Sequence, residues 1–175
     1  ENKSPYHIFY DKDALQCSAY IQDKMEYSSM IMNLGIRYDA FVPNDSTIAN
    51  LLYPEADQKE ANTKTMLSPR IGVSLPITDK GIFHFSYGHF YQMPTLRNLC
   101  RESYFGAGLA PTVGNPDLKP EKTVLYEFGF QQQFGNLIGI DFNVFHKDIR
   151  ELLALQSIRY NSPNYGPSNY SIYLN

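Results

Sequence analysis

The chain has no tryptophan, only two cysteines among 175 residues and no excess of basic charge. Each shortage narrows the field. With a net charge of -3 it lacks the cationic footprint that nucleic-acid binding needs. Cys17 and Cys100 lie far apart, with no CxxC or Cys/His spacing, so no metal or redox centre is expected and nothing in the sequence pairs them. No stretch approaches the run of about 20 apolar residues that a membrane helix requires. That shortage leaves membrane strands open, because they alternate apolar and polar residues and average out in hydropathy. Mean hydropathy is indeed only -0.37. Enzyme signatures are missing too: there is no GxSxG, no HExxH and no phosphate-cradling glycine loop. No catalytic residue, metal or cofactor is therefore expected.

What the chain does have is aromatic side chains, 14 Tyr and 11 Phe, placed at period two. From Val124 to Gln131, Val124, Tyr126, Phe128 and Phe130 alternate with Leu125, Glu127, Gly129 and Gln131. Strict alternation reads as strand. Similar runs occur at about 15–24, 30–40, 66–77, 82–91 and 137–149. In the second, Met30, Met32, Leu34, Ile36, Tyr38 and Ala40 alternate with Ile31, Asn33, Gly35, Arg37 and Asp39. In the first, Ala19 and Ile21 compete with Tyr20 for the apolar side, so its facing is open. Prolines 43, 69, 76 and 94 mark strand ends.

The links alternate in length. Those near Glu26, Asp79 and Gly135 are short; those at 43–65, 92–121 and 150–170 are long. The long links read as irregular, the Asn/Ser/Pro/Gly/Tyr-rich stretch 161–169 as loop, 148–155 as short helix or strand extension, and 171–174 as the start of another strand. An antiparallel meander through an outer membrane has this rhythm, with short periplasmic turns and long external loops. A soluble all-β ligand- or carbohydrate-binding module would instead bury its apolar faces between two sheets. A non-transporting adhesin barrel is the third alternative. The discriminating group is Met32, Leu34, Ile36, Ile71, Val73, Phe83, Phe85, Tyr126, Phe128, Ile140 and Phe142. In a barrel they form one band on the outside of a single sheet.

The segment Gly114-Asn115-Pro116-Asp117-Leu118-Lys119-Pro120-Glu121, followed by Tyr126-Glu127-Phe128-Gly129, resembles a signature of TonB-dependent outer-membrane receptors. Flanking stretches resemble the same family in order: Asn33 to Asp39, Ser68 to Gly72, Phe85 to Pro94 and Asn143 to Leu153. The resemblance implies an all-β antiparallel meander of about six strands, part of a large transmembrane barrel in the bacterial outer membrane. It further implies import of a scarce nutrient, such as an iron chelate, cobalamin, glycan or peptide, driven by the TonB complex through a plug domain. Residues 1–175 are expected to be one partial barrel segment without plug or closing strand, touching outer-membrane lipid and no nucleic acid. Glu1 begins no signal peptide, as expected of a processed protein or an internal fragment.

Candidate site residues follow from position. Arg37, Asp39, Arg70, Glu127 and Asp141 fall on the polar face. They are read first as charge pairing that keeps a wet interior solvated, and second as a lumen wall that meets plug or ligand. Arg97, Arg101, Glu102 and Tyr104 lie on a long loop, where binding residues concentrate and arginine clamps anions. Tyr160, Tyr165 and Tyr170 are candidates for stacking on a sugar or an aromatic chelate. His84 and His89 sit five apart on one strand, hence on opposite faces, a poor geometry for one metal.

Overall fold

The computed structural model describes residues 13–54, 58–100, 111–164 and 166–175. Six long strands form one antiparallel sheet: β1 (Leu15–Tyr27), β2 (Met30–Val42), β5 (Lys64–Thr78), β6 (Gly81–Gln92), β8 (Glu121–Phe134) and β9 (Ile138–Arg150), hydrogen-bonded in that order. The long links hold smaller pieces: the hairpin β3 (Ser46–Ile48) and β4 (Gln58–Glu60), helix α1 (Leu96–Cys100), β7 (Thr112–Val113), β10 (Ala154–Ser162) and β11 (Gly166–Leu174).

Register turns period-two patterns into rows. One row takes a residue from every long strand: Met25, Met32, Val73, Phe85, Phe128 and Val144. All six are apolar. The next row toward the long links is Asp23, Leu34, Ile71, Tyr87, Tyr126 and His146. Only Asp23, on edge strand β1, interrupts its apolar and aromatic character. Beyond come His89, Val124 and Asp148, then Tyr91, Lys122 and Arg150. Polarity thus rises in steps along the strands. Ala19 and Ile21 join this side of the sheet and Tyr20 the other, which settles the facing of β1.

The expected band is therefore continuous and lies on one face of one sheet. It is not packed against a second sheet: Phe128 is 47% exposed and Phe142 58%. The sandwich arrangement is excluded for these residues. On β8 this face runs from Val124 to Phe134, broken only by Gln132, about 33 Å of strand. At a tilt of about 40–45° that spans roughly 25 Å of height, the thickness of the apolar band of a membrane barrel.

Several expectations about the links are corrected. The polar link placed at 24–28 is strand as far as Tyr27, and the turn is Ser28–Ser29, with Ser28 in the left-handed region at φ 54°. Residues 43–65 are not irregular throughout, since β3 pairs with β4. The segment 148–155 is strand at both ends, as Asp148 to Arg150 finish β9 and Ala154 and Leu155 begin β10; only 151–153 break it, where Glu151 adopts φ 58°. The stretch 161–169 is not loop. Asn161 and Ser162 end β10, and Gly166 to Asn169 begin β11, paired across a short turn. The reason is that Ile158, Tyr160, Tyr170 and Ile172 all find apolar neighbours, which outweighs the turn-forming polar residues between them.

Two small cores lie at the long-link end. One gathers Phe41 and Met66 from the polar face of the sheet with Leu99, Cys100 and Leu118 from the second long link. That link therefore folds inward over the sheet. The other gathers Tyr160, Tyr170 and Ile172 with Ile48, Leu51 and Val113. Cys17 is exposed and Cys100 buried, and no disulfide joins them.

Candidate functional site

The Gly114–Pro120 segment is where the long links meet. Asn115 uses nearly every polar atom it has. Its Oδ1 accepts from Thr47 Oγ1 at 2.9 Å and from the Asp117 amide at 3.0 Å, and its Nδ2 donates to the Tyr173 carbonyl at 3.0 Å. Its own amide donates to the Asn98 carbonyl. One side chain thus ties the β3 hairpin and β11 to its own loop, while its backbone holds α1. Pro116, which steers Asn115 out of the helical region, has its carbonyl occupied by Lys64 Nζ at 2.7 Å.

Asp117 extends the clasp. It accepts from the Asn62 backbone and side-chain amides at 3.0 and 2.9 Å and from Lys64 Nζ at 3.2 Å. Partial burial opposes its ionisation, but the Asn62 and Lys64 donors prevail and draw its carboxyl down to about 2. Lys119 closes the set: its amide donates to Asn175 Oδ1, and its carbonyl accepts from Asn175 Nδ2 at 2.7 Å.

The tyrosines of the last hairpin belong to this architecture. Tyr170 is fully buried, donates to the Leu51 carbonyl at 2.8 Å and meets the Tyr160 ring edge-on at 5.6 Å. Burial, helped by Tyr160, pushes its phenol up to about 12. Tyr160 and Tyr170 are therefore core residues, which corrects their reading as stacking platforms. Tyr165 lies outside the described residues.

Below the clasp, the polar face of the sheet is layered. Arg37 Nε and Nη2 fork onto Asp39, at 2.8 and 2.7 Å. Arg70 lies over the Phe90 ring, its guanidinium carbon 4.8 Å from the centroid. Gly88 makes room for that ring: a Cβ there would stand 3.0 Å from Phe90 Cε2. Glu127 accepts a long bond from Ser86 Oγ at 3.4 Å. Nearer the short turns, His84 reaches Asn143 at 2.9 Å; Asn143 donates to Asp141 at 2.8 Å, and Gln131 donates to Asp141 at 3.0 Å. His89 faces the opposite way and meets the Tyr87 hydroxyl at 2.7 Å, so the two histidines are split as their spacing predicts.

A cavity of about 300 Å³ opens at the long-link end of this polar face, lined by Gln16, Arg37, Asp39, Ser68, Arg70 and Phe90, with Met66, Tyr91 and Met93. Of the candidate residues, Arg37, Asp39 and Arg70 line it. Glu127 stands on the same face but two strands away from Arg37's neighbour β5. Arg97 is exposed on α1 and is not brought to the cavity. Arg101, Glu102 and Tyr104 lie outside the described residues. Sequence reading missed Phe90 and Ser68. Phe90 is an aromatic out of phase with the apolar run of β6, and that parity was the signal.

An antiparallel wall with an unburied apolar band about 25 Å high, aromatic residues above it and a hydrogen-bonded polar face is a segment of a membrane β-barrel. The sequence model described as TonB dependent receptor-like, beta-barrel, matches residues 3–174, and the chain belongs to that family. It is therefore an outer-membrane protein, and its sheet is part of a barrel wall. Among solved structures, the copper transporter OprC superposes with a TM-score of 0.56 at 16% identity, over 93% of this chain and 25% of that one. The siderophore receptor PirA from Acinetobacter baumannii gives a TM-score of 0.48 at 15% identity, over 91% of this chain and 31% of that one. The chain thus spans about a quarter of OprC, and at such identity the likeness is one of fold. No curated protein matches.

Proposed function

We propose that the intact protein is a TonB-dependent importer and that this chain supplies part of its barrel. The observation that carries the reading is the pairing of a two-faced wall with an external loop cluster held by one motif. A wall alone would serve any porin-like barrel. Loops tied together over an inward-facing cavity suit capture of a ligand before passage. On this reading a plug domain elsewhere in the intact chain blocks the lumen and contacts the TonB complex. The ligand is a scarce nutrient, an iron chelate, cobalamin, glycan or peptide. Arg37 and Glu127 on the lumen wall, and Arg97, Arg101 and Tyr104 on the second long link, are the ligand contacts. Lipid of the outer membrane packs on the Phe85–Phe128 band.

The test is uptake by cells carrying the intact gene, with TonB present or deleted. Ferric chelates, cobalamin and oligosaccharides would be supplied at limiting concentration. Accumulation of one of them that disappears without TonB is the expected result. Accumulation indifferent to TonB would refute the importer and favour a passive or adhesive barrel.

A further inference from the structure

The cavity contains a cation with no counter-ion among the described residues. Among the described residues, Arg70 has no carboxylate within ion-pair distance and no hydrogen-bond partner. Its one specific contact is with the face of Phe90. A guanidinium stacked on a ring is held by its plane, which leaves the N–H edge free to donate. Arg37 sits diagonally across β2 and β5 from it: Arg37 pairs with Ser68, and Gly35 pairs with Arg70. Diagonal positions of this kind are about 7–8 Å apart, within reach of two long side chains. Asp39 engages only Nε and Nη2 of Arg37, so Nη1 keeps its donors. Ser68, buried between them, adds a hydroxyl. Two fixed guanidiniums against one carboxylate leave the cavity positive.

We infer that Arg37, Ser68 and Arg70 form an oxyanion subsite, and that the imported ligand presents a carboxylate or phosphate group to it. This rests on the importer reading given above. The chemistry is that of a charge-assisted fork: arginine never deprotonates, and its paired N–H groups match the oxygens of carboxylate and phosphate. The site is preorganised. Phe90 fixes Arg70, Gly88 seats Phe90 and Asp39 fixes Arg37, so little side-chain freedom is lost on binding. A cavity of about 300 Å³ accommodates a small organic anion or the charged arm of a larger chelate.

Position argues for the ligand rather than a fixed carboxylate of the protein. Arg70 belongs to the row Gln22, Gly35, Arg70, Gly88, Leu125 and Lys147, toward the external end of the wall. Lys147 likewise has no ion pair among the described residues and lies over a ring, with Nζ 5.3 Å from the Phe145 centroid. Arg70 and Lys147 thus stand at one level of the polar face.

The test uses the intact receptor in detergent. Citrate, inorganic phosphate and neutral glucose would be titrated calorimetrically against the wild type, Arg70→Gln, Arg70→Lys and, as a control, Lys24→Gln. Citrate or phosphate should bind the wild type with an affinity that falls with salt. Arg70→Gln should weaken it by about 10-fold or more, with partial recovery in Arg70→Lys, because the bidentate charge-assisted bond is lost. Lys24→Gln should bind as wild type, and glucose should not bind. The subsite is refuted if neither oxyanion binds the wild type or if Arg70→Gln binds them equally well. It is also refuted if Arg70→Gln lowers the melting temperature of the anion-free receptor while the wild type takes no anion, the signature of an internal carboxylate already in place. Failure here with intact TonB-dependent uptake removes only the oxyanion subsite. Oxyanion binding without TonB-dependent uptake removes only the importer.

Discussion

His84 on β6 and Asn143 on β9 are hydrogen-bonded at 2.9 Å although β8 lies between them. The bridge passes over Gly129, which is paired with both. A Cβ at Gly129 would overlap His84 Nε2 and Asn143 Oδ1. The glycine is therefore required by a neighbour rather than by its own backbone. Gly129→Ala should destabilise the intact barrel by about 1–2 kcal/mol, because it severs a hydrogen bond. In a His84→Ala background the same substitution should be close to neutral. Urea unfolding of the four proteins in bilayers gives the coupling; additive losses would deny the bridge any energetic role.

The lipid band gives a second expectation. Phe128 lies in the all-apolar row and is 47% exposed, whereas Gln131 points into the lumen beside Asp141. Phe128→Arg should cost about 2–4 kcal/mol near the midplane, while Gln131→Arg should be mild. The two are compared by reversible unfolding in lipid vesicles. Equal losses would reverse the assigned facing.

The external clasp should fail in acid. Asp117 has its carboxyl lowered to about 2 from 3.8. A lowered carboxyl stabilises the fold above its unfolded value and loses that contribution as pH falls from 3.8 through 2. Loop protection, read by protease cleavage after brief acid exposure, should drop in that window for the wild type. Asp117→Asn should already be loosened at neutral pH and show no further step there. An unchanged acid step in the variant would assign it to another group.

Tyr170 makes a prediction at the other end of the scale. Its hydroxyl is bonded to the Leu51 carbonyl and its phenol is raised to about 12 from 10.0. A raised acid of this kind contributes stability below 10, and that contribution is lost as pH rises toward 12. Tyr170→Phe should cost about 1 kcal/mol at neutral pH by orphaning a carbonyl, and should flatten the alkaline decline of the loop sheet. Hydrogen exchange of the β10–β11 amides at pH 7 and pH 11 reports both.

Much of the wall was legible in the sequence because its two faces differ in polarity. An apolar face opposite a polar one forces alternation, so Met32, Val73, Phe85 and Phe128 announce their strand and their face. Register was not legible. The β5–β6 hairpin shifts between Pro76 and Thr78, and only that shift decides that Arg70 opposes Gly88 and so meets Phe90. The final hairpin was hidden for another reason. Asn161, Ser162 and Gly166 to Asn169 are turn formers one by one, and contacts such as that of Tyr170 with Leu51, 119 residues away, hold them as strand. Of the candidate contacts, Arg37 could be placed on its face from parity alone, but the choice of Asp39 as its partner needed coordinates.

The Asn115 amide group has a mechanical consequence. Because Thr47, Tyr173 and Asp117 all converge on that one side chain, the external links are coupled like spokes to a hub. Lifting any one of them breaks bonds that hold the others. The receptor's mouth should therefore open as a unit, with a single barrier, and not flap by flap.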